Sequence, residues 1–330
     1  MKRQRFSARA VAALNDALER IHLLPGTKTY LIEAGPVRGG RTWRAAHLPD
    51  QRVFIGSAFK TFTFAKFMKD VEAGQLSLNT PITIDDHVRM TDSGVFLELT
   101  GRVPARSALE AMISHSDNTA ADACMAQVGA DRVRDFVRSV GLTSTVIPDS
   151  VRIFASYLAG APKGVDVGWE GAKAIQEGRL FGSARRAFND EMSSISTAEE
   201  LISYYRRSLL GEFFDKPSTL VDFKRIHAQG NLTRVAPPNT IAYAKAGSVN
   251  WQDFHALCGP GQLILCSGVS VTFAFTINWD GPDGDEPVVT GKFLTAVADV
   301  LAAVKQLFGF DGGAWKDWLP GQVSNLGHPD

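Results

Sequence analysis

The sequence predicts an α+β protein: an antiparallel sheet flanked by terminal helices, with an inserted all-α domain. Two observations predict it. Strand-like runs lie towards both ends of the chain, at Thr27–Ala34, at 42–46 and again from Ile241 onward, while helical spacing dominates between them. Each end also carries an amphipathic helix. Val11, Leu14, Leu18 and Ile21 share one face of residues 7–22, and Phe293, Leu294, Val297, Val300, Leu301 and Val304 share one face of 289–308. Residues 1–57 and 236–330 then form the sheet domain, and 58–235 the helical domain. An extra loop or helix insertion occupies about 157–195 and holds the Gly/Pro-rich run Gly160-Ala161-Pro162-Lys163-Gly164.

Pro25-Gly26 ends the first helix. The helical block contains Phe62–Ala73, Ala105–Ser114, Thr119–Val128, Ala130–Val140 and Thr197–Leu210. Four strands follow: Ile241–Ser248, Phe254–Cys258, Leu263–Cys266 and Val271–Asn278, with Gly259-Pro260-Gly261 marking a hairpin turn between the second and third. That hairpin brings Cys258 and Cys266 near each other. Three cysteines in 330 residues still make no disulfide framework, and both read better as small apolar residues on buried strands.

Thirty-five basic residues balance thirty-five acidic ones, so neither nucleic acid nor an anionic membrane is expected as a partner. Uninterrupted apolar runs fall short of the roughly 18 residues of a membrane span. After the basic start Met1-Lys2-Arg3-Gln4-Arg5 no signal-peptide apolar stretch follows. The chain as written therefore reads as cytoplasmic, or as secreted or periplasmic if a leader has been removed. His227 and His255 lack metal-ligand spacing, and there is no phosphate cradle or dinucleotide fingerprint. No cofactor or metal is expected; the partner is a small-molecule substrate.

Three motifs carry the chemistry. Ser57-Ala58-Phe59-Lys60 opens an apolar helix, where residues three apart share a face and the lysine amine reaches the hydroxyl. A serine needs a base to become a nucleophile, and a buried lysine with a lowered pKa supplies one. Alone the pattern is weak, since it occurs by chance on the order of once in such a chain. Ser116-Asp117-Asn118 offers a second hydroxyl to relay protons and a carboxamide to hold a substrate amide. It reads equally as a helix N-cap, which does not exclude the first role. Lys245-Ala246-Gly247 sits on an apolar strand, where a charge needs a partner and a glycine admits close backbone approach. The plain alternative is an edge strand with an exposed lysine. His115 reads as structural.

Together, in this order, the three motifs resemble the set shared by class A β-lactamases and penicillin-binding proteins. The segments VEAGQLSLNTPITI at 71–84 and SDNTAAD at 116–122 are also similar to class A β-lactamases. The resemblance implies a β-lactamase/transpeptidase-like fold and a serine hydrolase working through an acyl-enzyme on a β-lactam or related cyclic amide. It implies that Ser57 attacks, Lys60 takes its proton and Ser116 passes a proton to the leaving group. Asn118 would position the acyl side chain, and Lys245 would attract a substrate carboxylate. Gly247 would let a substrate's backbone approach closely, and the N–H groups of Ser57 and Ser248 would hold the oxyanion.

Two departures stand out. Ala246 replaces the family's Thr or Ser. The glutamate that activates the deacylating water should fall at about 150–156, which reads Ser-Val-Arg-Ile-Phe-Ala-Ser. Asp149 and Glu170 are the nearest carboxylates to stand in for it. Arg152 reads as a structural ion-pair partner or a binder of an anionic group. The missing glutamate keeps two alternatives open: an esterase or D-amino-acid peptidase, and a slow-turnover β-lactam-binding or sensor protein.

Overall fold

The computed structural model describes residues 7–309. The basic start and the last part of the expected sheet domain lie outside the described residues. Helix α1 (Ala8–His22) leads into β1 (Thr27–Pro36) and β2 (Trp43–His47); the two-residue strand β3 (Val53–Phe54) follows. The helical block then runs through α2 (Lys60–Glu72), the ribbon of β4 (Pro81–Ile84) and β5 (Gly101–Pro104), α3 (Ala105–Ser114), α4 (Asn118–Val128), α5 (Ala130–Ser139), α6 (Val151–Leu158) and α7 (Gly168–Gln176). Strand β6 (Ile195–Ser196) pairs with β3, and α8 (Ala198–Leu210) and α9 (Pro217–His227) close the block. The chain ends in β7 (Thr240–Ala244), β8 (Gly247–Trp251), β9 (Phe254–Leu265), β10 (Val269–Asp280) and α10 (Glu286–Phe308).

The main sheet has the antiparallel order β2-β1-β10-β9-β7, with β8 also pairing β9. Helices α1 and α10 cover one face, where Leu14, Ile21, Phe293, Val297 and Val304 meet Ile32, Phe273 and Phe275. The helical block covers the other face through α8 and a core built on Phe62, Phe64, Phe67 and Met112. Strands sandwiched in this way are buried on both faces, so β10 reads as the near-continuous apolar run VSVTFAFTINW. Residues 283–308 have the length and mean hydropathy (1.5) of a membrane span. Lys292, Asp299 and Lys305 interrupt the run, and its apolar face lies on the sheet.

The strand assignments need two corrections, and Pro260 bears on the second. The expected hairpin at Gly259-Pro260-Gly261 does not form; Phe254–Leu265 is one strand, pairing with β10 from Phe254 to Ile264. The expected strand 241–248 instead breaks at Lys245–Ala246, between β7 and β8. The Lys245 amide still donates to the Pro260 carbonyl (3.4 Å), so the N–H that proline lacks faces this break. Cys258 is buried as expected, whereas Cys266 is exposed, and neither is oxidised.

Candidate active site

Where the helical block meets the sheet edge lies a cleft of about 620 Å³. Ser57, Ser116, Asn118 and Ser248 line it, and Lys60 and Lys245 are buried just behind. Ser57 stands on a short 3-10 turn (Gly56–Phe59) that runs directly into α2, so Lys60 is the first residue of the α-helix proper.

The glycines set how closely the strand comes. A Cβ on Gly247 would lie 2.0 Å from the Ile55 carbonyl oxygen and 2.7 Å from the Ser57 nitrogen. One on Gly56, whose φ is +50°, would lie 2.7 Å from the Ser248 nitrogen. No side chain fits in either gap, and the backbones at Ser57 and Ser248 are thereby locked together.

Ser116 occupies the left-handed region at φ +58°, a conformation that costs a non-glycine residue about 1–2 kcal/mol. The surrounding loop holds it there. Asp117 is fully buried and spends its carboxylate on three backbone N–H groups: Ala120 (2.8 Å) at the start of α4, Val95 (2.8 Å) and Phe96 (2.9 Å). The N-cap reading of this motif is therefore met. With Asp117 fixed, the Ser116 hydroxyl lies between the two lysines, 3.3 Å from Lys60 Nζ and 2.9 Å from Lys245 Nζ.

Lys60 also donates to the Ser116 carbonyl and to Asn118 Oδ1 (2.7 Å), while Asn118 Nδ2 donates to the Thr91 carbonyl (3.0 Å). Burial lowers Lys60 to about 7, against the pull of Asp122, Asp117 and Asp92. Lys245 is pushed well below the ordinary lysine value, by burial first and by Lys60 second. Asp122 accepts from the Val151 and Arg152 amides, tying α4 to the start of α6, and burial raises it to about 6. Such a buried amine near neutrality can accept a proton, and two lysines facing one hydroxyl can pass one along.

Lys245 is neither exposed on an edge nor at the cleft wall. Its amine donates to Ser116 Oγ and to the Ala246 carbonyl. His115, expected to be structural, lines the cleft mouth with its ring bonded to Ser114 Oγ (2.8 Å).

Residues 150–156 present Val151, Phe154 and Ala155 to the cleft, and no carboxylate. Phe154 stacks on Phe54, ring centroids 5.9 Å apart. The two stand-in carboxylates are elsewhere: Asp149 pairs with Arg134, and Glu170 is exposed and pairs with Lys173 (2.8 Å). Neither lines the cleft. Arg152 is an ion-pair residue. Its guanidinium grips both oxygens of Asp166 (2.8 and 2.6 Å) and donates to the Asp86, His87 and Arg89 carbonyls, which uses all five N–H groups. Arg152→Ala should cost about 3–5 kcal/mol in urea unfolding, because it strands Asp166 and three carbonyls; a loss below 1 kcal/mol would show the clamp to be dispensable. The expected insertion supplies α7, whose Ile175 and Gln176 reach the cleft.

Sequence reasoning did not find Asp92, Phe154, Asn250 and Trp251 as cleft residues. Asp92 sits in the turn-like run Thr91-Asp92-Ser93-Gly94, which reads as a surface loop.

The fold defines the class of the β-lactamases. The sequence matches the β-lactamase enzyme family over residues 38–248, and the chain belongs to that family. It is 34% identical over 94 residues to the β-lactamases PSE-4 and CARB-3 of Pseudomonas aeruginosa; the match covers 28% of this chain and 33% of each of those proteins. Among solved structures it resembles a β-lactamase from Sphaerobacter thermophilus (TM-score 0.67, 21% identity, covering 92% of this chain and 98% of that one). It also resembles PBP-A (TM-score 0.64, 15% identity, covering 93% and 100%).

Proposed function

We propose that the protein is a serine hydrolase of the β-lactam-cleaving kind in which acylation is efficient and deacylation is slow. The observation that carries this is the Lys60–Ser116–Lys245 chain behind a serine whose backbone is locked to β8. Ser57 Oγ bonds to the carbonyl carbon of a cyclic amide, and the carbon–nitrogen bond breaks. The hydroxyl proton goes to the neutral Lys60 amine and, through Ser116 Oγ, to the departing nitrogen. The N–H groups of Ser57 and Ser248 hold the oxyanion. Water then splits the acyl-serine ester, releasing the acid and restoring Ser57.

The apolar wall of Val151, Phe154 and Ala155 favours a second reading, an esterase, because an activated ester acylates readily where the wall offers the water no base. Intact mass followed over time with a chromogenic cephalosporin and with p-nitrophenyl acetate, against Ser57→Ala, separates the readings. A Ser57-dependent adduct that outlives the colour burst supports the proposal. An adduct that turns over at ordinary enzyme rates contradicts the slow step, and Ser57-independent colour contradicts the nucleophile.

A pH profile tests the base. Lys60 acts only when neutral, so the acylation rate should rise with pH and level off above a midpoint near 7. A rate flat from pH 5 to 9 would remove Lys60 from that role.

A further inference from the structure

The segment between α6 and β6 is fastened to two walls of the cleft. Toward α6, the Phe181 amide donates to the Ala159 carbonyl (2.6 Å) and the Arg185 amide to the Leu158 carbonyl (2.9 Å). The Arg185 guanidinium lies over the Tyr157 ring (4.3 Å) and donates to the Tyr157 and Ala161 carbonyls (2.5 and 2.7 Å). These acceptors cluster at the C-terminal end of α6, where a helix leaves carbonyls without partners in its own ladder. Toward the sheet, the Arg185 carbonyl accepts from the Trp251 indole N–H at the end of β8 (2.9 Å). The Asp166–Arg152 ion pair holds the segment ahead of α7. Tied on both sides of α7, the insertion is a fixed wall rather than a loose loop.

What it shares with its neighbours is apolar surface. Phe154 and Leu158 of α6, Ile175 of α7, and Val249 and Trp251 of β8 line the cleft, and all but Leu158 stay partly exposed there. The polar lining residues of these three elements, Gln176, Ser248 and Asn250, are uncharged. Their charged side chains turn elsewhere: Arg152 to Asp166, and Glu170 and Lys173 to each other. Half-exposed aromatic and branched side chains gathered beside a nucleophile make a surface that an apolar ligand group stabilises.

We infer that the insertion completes, at Ile175, an apolar compartment for the side group of the acyl donor, selecting an uncharged aromatic or long alkyl group over a charged one. The inference rests on the proposed acylation of Ser57. It leaves the rest of the donor, a ring carboxylate included, to the other groups of the cleft. An apolar side group gains burial in this compartment, whereas a charged one would leave water without a partner.

Four penicillins with one nucleus test it: benzylpenicillin, whose side group is aromatic and uncharged, ampicillin, which adds an ammonium, carbenicillin, which adds a carboxylate, and 6-aminopenicillanic acid, which has no acyl side group. Second-order rates of Ser57 adduct formation are measured by intact mass in the wild type, Ile175→Ala and Ile175→Lys. Equilibrium binding to Ser57→Ala is measured by ligand-observed NMR. Ile175 is only partly buried in the last turn of α7, so both changes spare the core.

The wild type should react with benzylpenicillin at least about 10-fold faster than with the other three, and Ser57→Ala should bind benzylpenicillin most tightly. Ile175→Ala should cut the advantage over 6-aminopenicillanic acid by about 3-fold or more. Ile175→Lys should bring carbenicillin to within about 3-fold of benzylpenicillin. Wild-type rates within about 3-fold across the four, or ratios unchanged in both Ile175 variants, overturn the inference and leave Ser57 acylation in place. No adduct with any penicillin, together with the expected binding preference in Ser57→Ala, overturns the acyl-enzyme reading and supports the compartment. No adduct and no binding preference overturns both.

Discussion

Lys60→Met should slow acylation of Ser57 by about 10²–10⁴-fold, the ordinary worth of a positioned general base. Methionine keeps most of the buried stem and removes an amine whose neutral form already reflects unfavourable burial. The Ser116 carbonyl and Asn118 Oδ1 lose their donor, so thermal unfolding is recorded alongside. The rise in rate with pH around 7 should vanish in the variant. Should Lys60→Met acylate at the wild-type rate, Lys245 would be the base, since it is the other amine on the Ser116 hydroxyl.

The second large effect has the opposite sign. Phe154→Glu should shorten the lifetime of the acyl-enzyme by about 10²-fold or more, because it puts a carboxylate on the one wall that lacks a water activator. Phe154 is only partly buried, so the new side chain can reach solvent, and the lost stacking with Phe54 costs about 0.5–1.5 kcal/mol. Apolar neighbours will raise the carboxyl's pKa, which suits a base working near neutrality. Phe154→Leu is the control: it opens similar space without a base and should leave the lifetime unchanged. Equal shortening in both variants would mean that water access limits turnover rather than its activation.

What the sequence made legible was whatever repeats or pairs at short range. The terminal helices and the long helices of the block follow apolar spacing, and Ser57 and Lys60 share a helical face by arithmetic alone. The two-residue strands β3 and β6 have no period to detect. Gly259-Pro260-Gly261 carries every sign of a turn, yet burial of β9 on both faces overrides local preference. The setting of Lys245 depends on a proline fifteen positions later, and three of the five bonds of Arg152 depend on carbonyls more than sixty residues earlier. Asp92 is a loop aspartate until the fold brings the cleft to it. Partnerships of that range carry no local signature.

The interlock of Gly56 with Gly247 has a consequence for how this molecule becomes active. These glycines lie 191 positions apart, and the Ser57 and Ser248 N–H groups come side by side only once the last strands have closed onto the 3-10 turn ahead of α2. A helical layer formed alone would hold Ser57, Lys60, Ser116 and Asn118 without the Ser248 N–H beside the serine, and it is expected to be chemically silent. Contacts of this separation form late, because loop closure must be met before they stabilise anything. In refolding, recovery of the acylation burst should therefore lag behind recovery of helical circular dichroism, so that the substrate itself times the final step of assembly.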